Sequence, residues 1–230
     1  MPLRIVANFV LLRILLGRQA LNTDWYLSVS NEANKPSRGR PKVLNRDHVL
    51  KIAVESYWAD GPMGVSINEI CRRAGVSKPG VYREFGNEDG LKLAALQSYQ
   101  EIVLAPLADI LTADFSFDQA LRALTDFVLL DHRANGLPHG CLQVAMCRSR
   151  DELGIRARAS ADDFRTKTLA GLEQWIERAK STGQFPTEVS AQTAALYIDA
   201  QIASTMELQK QGVAQAELER VFKLALSVFS

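Results

Sequence analysis

The stretch Ser66 to Phe85, SINEICRRAGVSKPGVYREF, constrains the fold more than any other part of the chain, because it reads as two short helices joined by a tight turn. Ser66 is an N-cap residue and Glu69 follows three positions on. This is the S-x-x-E pattern, in which each side chain satisfies the other's free backbone N–H. Ile67, Ile70, Cys71 and Ala74 recur at the spacing of one helical face. Gly75 supplies left-handed backbone where the first helix ends. Ser77 caps the second helix, Val76 and Val81 flank that cap as a hydrophobic staple, and Pro79 lies in the first turn, where a missing N–H costs little. Val81 and Phe85 share one side, leaving Lys78, Gly80, Tyr82 and Arg83 on the other. A short helix with an apolar back and a basic, aromatic front suits a DNA major groove. Two capped helices around a glycine also occur in all-α proteins that touch no DNA, so the flanking sequence has to decide.

Upstream lies Lys35-Pro36-Ser37-Arg38-Gly39-Arg40-Pro41-Lys42, basic and unsuited to a helix. Such an arm either follows a phosphate backbone or minor groove, or is a solvated linker. A helix is predicted from about Arg46 to Ala59, with Asn45 as its cap and Val49, Ile52, Ala53, Ser56 and Tyr57 as its stripe, broken by Gly61-Pro62-Met63-Gly64. The order is arm, helix, break, helix, turn, helix. From Asn31 to Gly86 there are ten Lys/Arg against six Asp/Glu, and from Asn87 to Ser230 fourteen against nineteen, so the overall net charge of +1 hides a basic head on an acidic body. That asymmetry points to nucleic acid.

From Gly39 to Leu96 the chain resembles the DNA-binding head of the TetR/AcrR family of bacterial transcriptional regulators. The resemblance rests on the R-G-R-P arm, the S-x-x-E-I opening, A-G-V-S at the turn, and V-Y-x-x-F followed by G-N-x-x-x-L. It implies an all-α fold, with an N-terminal three-helix helix-turn-helix head and a C-terminal helical body for ligand binding and dimerisation. The expected divisions are an N-terminal extension at 1–37, a DNA-binding domain at 38–90 and a ligand-binding and dimerisation domain at 91–230. By the same similarity Lys78, Pro79, Gly80 and Tyr82 face DNA with Arg83 close by, Ser66 and Ser77 offer groups to phosphate, and Arg38 and Arg40 belong to the arm. Gly80 would let the backbone approach a base methyl or the sugar-phosphate. One position departs from the family pattern: where many members carry a phosphate-binding lysine, this chain has Glu88. Glu88 and Asp89 suit instead the N-terminal dipole of the helix that Asn87 caps. Glu84 is unusual for a DNA-facing helix and is expected to point away.

The rest of the chain reads as helices: Asn87 to Ile110, with Pro106 kinking or ending it, then Phe117 to His132, Pro138 to Arg150, Glu152 to Thr182, Thr187 to Gln211 and Ala214 to Phe229. The resemblance implies a ligand pocket among these helices, near Tyr99, Val103, Phe115, Phe127, Cys141, Leu142, Ala145, Met146, Phe164 and Trp175, each of which also reads as plain core. It further implies a twofold interface from the last two helices, through Ala191, Ala194, Ala195, Ile198, Ile202, Leu218, Phe222, Ala225 and Phe229. The final helix is apolar on more than one side, so it needs cover from core and partner.

The remaining features narrow the function. His48, His132 and His139 lack partners at metal-ligand spacing, so no metal is expected. There is no G-x-S-x-G, P-loop or G-x-G-x-x-G, and neither catalytic residues nor a cofactor are expected. Three cysteines and no convincing secretory signal fit a reducing cytoplasm; Cys141 as a redox-sensing thiol is a secondary idea. Ile5 to Leu16 is apolar but broken by Arg13 and too short to span a bilayer, so no membrane partner is expected, and deleting 1–30 should leave DNA binding intact. The expected function is a dimeric, ligand-responsive repressor released from a palindromic double-stranded operator by a small molecule. The alternatives are an all-α enzyme or ligand-binding module that retains the head, and an activator or redox-controlled regulator.

Overall fold

A computed structural model describes residues 44–132 and 136–229, where every regular element is a helix. The extension at 1–37 and the arm residues Arg38 and Arg40 lie outside the described residues. The α-helices run in the order α1 (Arg46–Asp60), α2 (Ile67–Ala74), α3 (Lys78–Phe85), α4 (Glu88–Tyr99), α5 (Ala105–Thr112), α6 (Phe117–Val128), α7 (Leu142–Arg148), α8 (Ile155–Ser181), α9 (Ala191–Lys210) and α10 (Gln215–Leu226). No described helix is long and apolar enough to cross a membrane. Among the described residues no three His, Cys, Asp or Glu side chains gather as a metal-holding group.

Local chemistry sets most helix starts. Asn45 accepts from the His48 N–H, Ser66 from Glu69, Ser77 from Gly80, Asn87 from Gly90 and Ser190 from Thr193. At Ser116 the reciprocal box is complete, with the Gln119 side chain returning to the Ser116 N–H. The helix expected from Asn87 to Ile110 is continuous in space but not in type. Between α4 and α5 the chain makes a π-helical turn, Gln100–Leu104, and Pro106 follows in the first turn of α5. A proline inside a helix removes one ladder bond and crowds the carbonyl four residues back. The wider turn just before Pro106 accommodates both effects.

Leu44–Ser230 forms one compact unit. Its interior holds two hydrophobic clusters. The first joins α1–α4 to α7 and the start of α8, from Val49, Tyr57 and Trp58 through Ile70, Val81 and Leu96 to Leu142, Met146, Ala157 and Ala161. The second joins α5 and α6 to the later part of α8, α9 and α10, through Ile110, Leu124, Leu172, Trp175, Ile198 and Phe222. Phe127 and Cys141 pack against both. The three N-terminal helices thus share a core with parts of the body, and a polar link reinforces it: the Asp89 carboxylate on α4 accepts from the backbone N–H groups of Arg156 and Ala157 on α8, each at 3.0 Å.

Candidate nucleic-acid interface

The turn between α2 and α3 has the geometry the sequence calls for. Gly75 takes φ +65, and the Val76 N–H reaches back to the Cys71 carbonyl at 3.0 Å. This is the six-to-one closure that satisfies the end of a helix. A side chain at Gly75 would meet nothing within 4 Å, so conformation rather than space selects glycine here.

Glu69 departs from expectation. Ser66 accepts from its backbone N–H at 3.2 Å, but the Glu69 carboxylate does not return to Ser66. It accepts instead from Arg72 at 2.7 and 2.8 Å and from Arg73 at 2.8 Å. The Arg72 bonds, then those from Arg73, hold its carboxyl down at about 2. Two nearby guanidinium groups outbid one distant backbone N–H, because charge-assisted bonds are the stronger ones. Arg73 also donates to Ser56 and Asp60 at 3.0 Å each, tying α2 to α1.

On α3 the back is locked and the front is open. Val81 is 0% exposed and Phe85 7%. Ser77, Lys78, Pro79 and Arg83 are exposed, and Gly80 and Tyr82 half-buried. The Lys78 ammonium lies 5.4 Å from the centre of the Tyr82 ring, a cation–π contact that steadies a flexible cation on the outer face. Glu84 turns towards α1, where Arg46 sits 3.3 Å from it and stacks over the Phe85 ring at 5.3 Å, so the carboxylate is drawn off the exposed face. Gly80 has an internal neighbour that the sequence did not suggest. A Cβ there would lie 3.3 Å from Leu44 Cδ1 and 3.2 Å from Ser77 Oγ, so its bare side admits the chain entering the head.

The proposed pocket residues divide. Tyr99, Leu142 and Met146 are buried in the first cluster, with Val103, Cys141 and Phe164 packed against it. Phe127 bridges to the second cluster, Ala145 is half-buried on α7, and Trp175 sits apart, stacked on Phe117 at 5.0 Å within the second cluster. Two open depressions mark the body surface. One lies on the outer face of α8 at Ala170, Glu173, Gln174, Glu177 and Arg178 and the other between α7 and α9, and none of these pocket residues lines either. Burial pushes the Cys141 thiol up, with the Tyr99 hydroxyl as its hydrogen-bond partner, and Cys147 is raised by burial too. Neither is poised as the thiolate that oxidant sensing uses.

The residues proposed for the interface divide between core and surface. Ala191, Ala194, Ala195, Ile198, Leu218, Phe222 and Phe229 are all buried within this single chain. Small residues on α9 let it approach its own α8 and α10. Ile202 and Ala225 remain partly exposed. Large apolar side chains left open on these helices are Leu196 on α9 at 48% exposure, and Val221, Leu224 and Val228 at 38, 74 and 62% along α10 and the turn that ends it.

Comparison with known proteins accords with this arrangement. Residues 49–95 match the family model described as bacterial regulatory proteins, tetR family. The chain is 26% identical over 200 residues to the HTH-type transcriptional repressor ComR of Escherichia coli K12, covering 85% of this chain and 92% of ComR. It is 29% identical over 151 residues to the transcriptional regulator AcuR of Cereibacter sphaeroides, covering 63% of this chain and 65% of AcuR. Its fold matches that of a cysteine mutant of the TetR family regulator CifR complexed with 26-base-pair operator DNA, with a TM-score of 0.70 at 21% identity over 84% of this chain and all of that one. It also matches reduced Escherichia coli NemR, with a TM-score of 0.65 at 17% identity over 80% of this chain and 97% of NemR. A turn closed by Gly75, an α3 locked from behind and a helical body that shares its core with the head all agree with these matches: residues 49–95 carry the DNA-binding head of the TetR family of bacterial transcriptional regulators.

Proposed function

We propose that this protein is a dimeric transcriptional repressor of the cytoplasm that places α3 in the major groove of an operator and leaves it when a small molecule binds the body. The observation that carries the reading is the exposed Lys78–Tyr82 face of α3, backed by fully buried Val81. Lys78, Arg83 and the Ser66 and Ser77 caps supply donors for phosphates and base edges, with Arg38 and Arg40 extending the contact along the backbone. Pro79 contributes shape to the same face, and the DNA-binding and ligand-binding parts divide near residue 90, a division of task within a shared core. ComR, named a repressor, supports the direction of control.

Dimerisation follows from the uncovered side chains of Leu196, Val221, Leu224 and Val228. Exposed apolar side chains on two packed helices call for cover, and a twofold partner supplies the same surface. Two heads related by that axis would meet successive major grooves about 34 Å apart on a palindromic site. The effector would bind near the seam that Phe127 and Cys141 share, and would act by favouring a head spacing that the operator does not fit. The test is a gel shift of the full-length protein on DNA flanking its own gene, across a salt series. A retarded dimer complex with a steep inverse salt dependence is expected. A folded protein that ignores that DNA and genomic fragments alike at low salt would sink the proposal.

A further inference from the structure

The last turn of α1 is wired to the last turn of α9 through a single glycine. Trp58, 1% exposed, donates its indole N–H to the Gly140 carbonyl at 2.9 Å. The Gly140 N–H donates to Gln209 Oε1 at 3.0 Å, and Gln209 Nε2 donates to the Leu130 carbonyl at 3.1 Å. Gln209 is itself 1% exposed, a polar side chain kept in the interior with both ends of its amide used. Gly140 has φ +79, and a Cβ there would lie 3.1 Å from the Met206 carbonyl and 3.2 Å from Lys210 Cβ, so its backbone is pressed against α9. Lys210 reaches on to the end of α1, its ammonium 3.8 Å from where a Gly61 Cβ would stand. Trp58 is held from its sides by the edges of Tyr99 at 4.9 Å and His132 at 5.1 Å.

These contacts are more than packing. A hydrophobic contact tolerates a small slide, but a buried hydrogen bond does not. A displacement of α9 along its axis would strand the Gly140 N–H in the interior and take the donor from the half-buried Leu130 carbonyl unless the loop and Trp58 moved with it. Such a bonded arrangement changes by exchange of partners rather than by gradual sliding, as a coupling element requires. The Asp89 bonds to the start of α8 anchor the head at a second place, so a pull at the end of α1 turns the head about that anchor. We infer that the hydrogen-bonded run Trp58–Gly140–Gln209–Leu130 couples α9 to the DNA-reading head, so that movement of α9 resets the angle of α3. The inference rests on the operator-binding role proposed above and names the route of its control.

The test is a double-mutant cycle on the full-length protein, with 5-fluorotryptophan at its tryptophans and DNA from upstream of its own gene as the probe. Trp58→Phe keeps an aromatic ring and removes the donor. Gln209→Met keeps the length and removes both amide bonds. Each is expected to weaken DNA binding about tenfold, with the double variant no weaker than the worse single, because both cut one connection. The Trp58 fluorine resonance of Gln209→Met is expected to move although residue 209 does not touch the indole. Affinities unchanged in both singles, or losses that multiply in the double variant with a stationary resonance, overturn the coupling. Should Gln209→Met fail to fold, Gln209→Glu takes its place, since it keeps the acceptor for Gly140 and loses the donor to Leu130. A wild-type protein that binds none of the DNA overturns the operator-binding role and this inference with it; loss of coupling in a wild-type protein that binds overturns this inference alone.

Discussion

The Asp89 carboxylate occupies the space that a side chain on Gly154 would need: a Cβ on Gly154 would fall 2.3 Å from Asp89 Cγ. Gly154 is the N-cap position of α8 and has no side chain to cap it, so a residue from α4 does the capping. Two predictions follow from one geometry. Asp89→Ala leaves the Arg156 and Ala157 N–H groups without their acceptor and should cost about 1–2 kcal/mol. Gly154→Ala forces Asp89 away and should cost about 1–3 kcal/mol. Urea unfolding measures both, and a Gly154→Ala protein as stable as wild type would refute the close approach.

Lys78 and Tyr82 should separate in a salt series. Lys78→Ala removes one cation from the groove face and should lower the log–log salt slope by about 1 while weakening all DNA sequences alike if its partner is a phosphate. Tyr82→Phe keeps the ring beneath the ammonium and loses only the hydroxyl, for a cost of about 1 kcal/mol and an unchanged slope. A Lys78→Ala protein with undiminished slope would remove that lysine from the interface.

The exposed and buried faces of α10 should respond in opposite ways. Leu224→Glu places a charge on the open surface, and a folded monomer by light scattering is the expected result. Phe222→Ala opens a cavity inside one chain and should cost about 3–5 kcal/mol of stability. A dimer that survives Leu224→Glu and a companion Val228→Glu would place the interface elsewhere.

His132 predicts an acid-side loss of stability. Burial, with His139 adding to it against a smaller opposing effect of Asp131, lowers its pKa from 6.5 to about 4. Below pH 6.5 the unfolded chain takes up the proton first. The stabilisation is therefore complete above pH 6.5 and declines as pH falls towards 4, by up to about 3 kcal/mol. Glu69 contributes in a separate window, losing its paired carboxylate only between 4.5 and about 2. Melting temperatures between pH 7 and 5 should fall for wild type and flatten for His132→Phe, which keeps the ring against Trp58. Parallel curves for the two proteins would refute the assignment.

What the sequence revealed was local. The caps at Asn45, Ser66, Ser77 and Asn87 and the left-handed turn at Gly75 are written within a few residues of where they act, and the structure has all of them. Long-range partners were illegible. Asp89 was read as serving the dipole of its own helix, but it caps a helix that begins 66 positions later at Ile155. Nothing near Gln209 announces that it holds Gly140. The partner face is hard to read for a related reason. Periodicity shows that α10 is apolar on two sides but not which side its own chain covers, and Phe222 and Leu224 look equally eligible until α6, α8 and α9 are in place. Glu69 shows that a correct motif can still choose other partners when two arginines stand nearby.

The π turn at Gln100–Leu104 adds one residue to a rod that would otherwise be regular. Each residue of a helix turns the next by about 100°. Leu91, Ala95 and Leu96 before the turn face one cluster, and Leu107, Ile110 and Leu111 after it face the other. Shortening this stretch by a single residue would swing the latter three away from α6 and α8 with no change in their chemistry, so the joint works as a fixed phase offset, and one codon lost there would do more harm than many substitutions on either side.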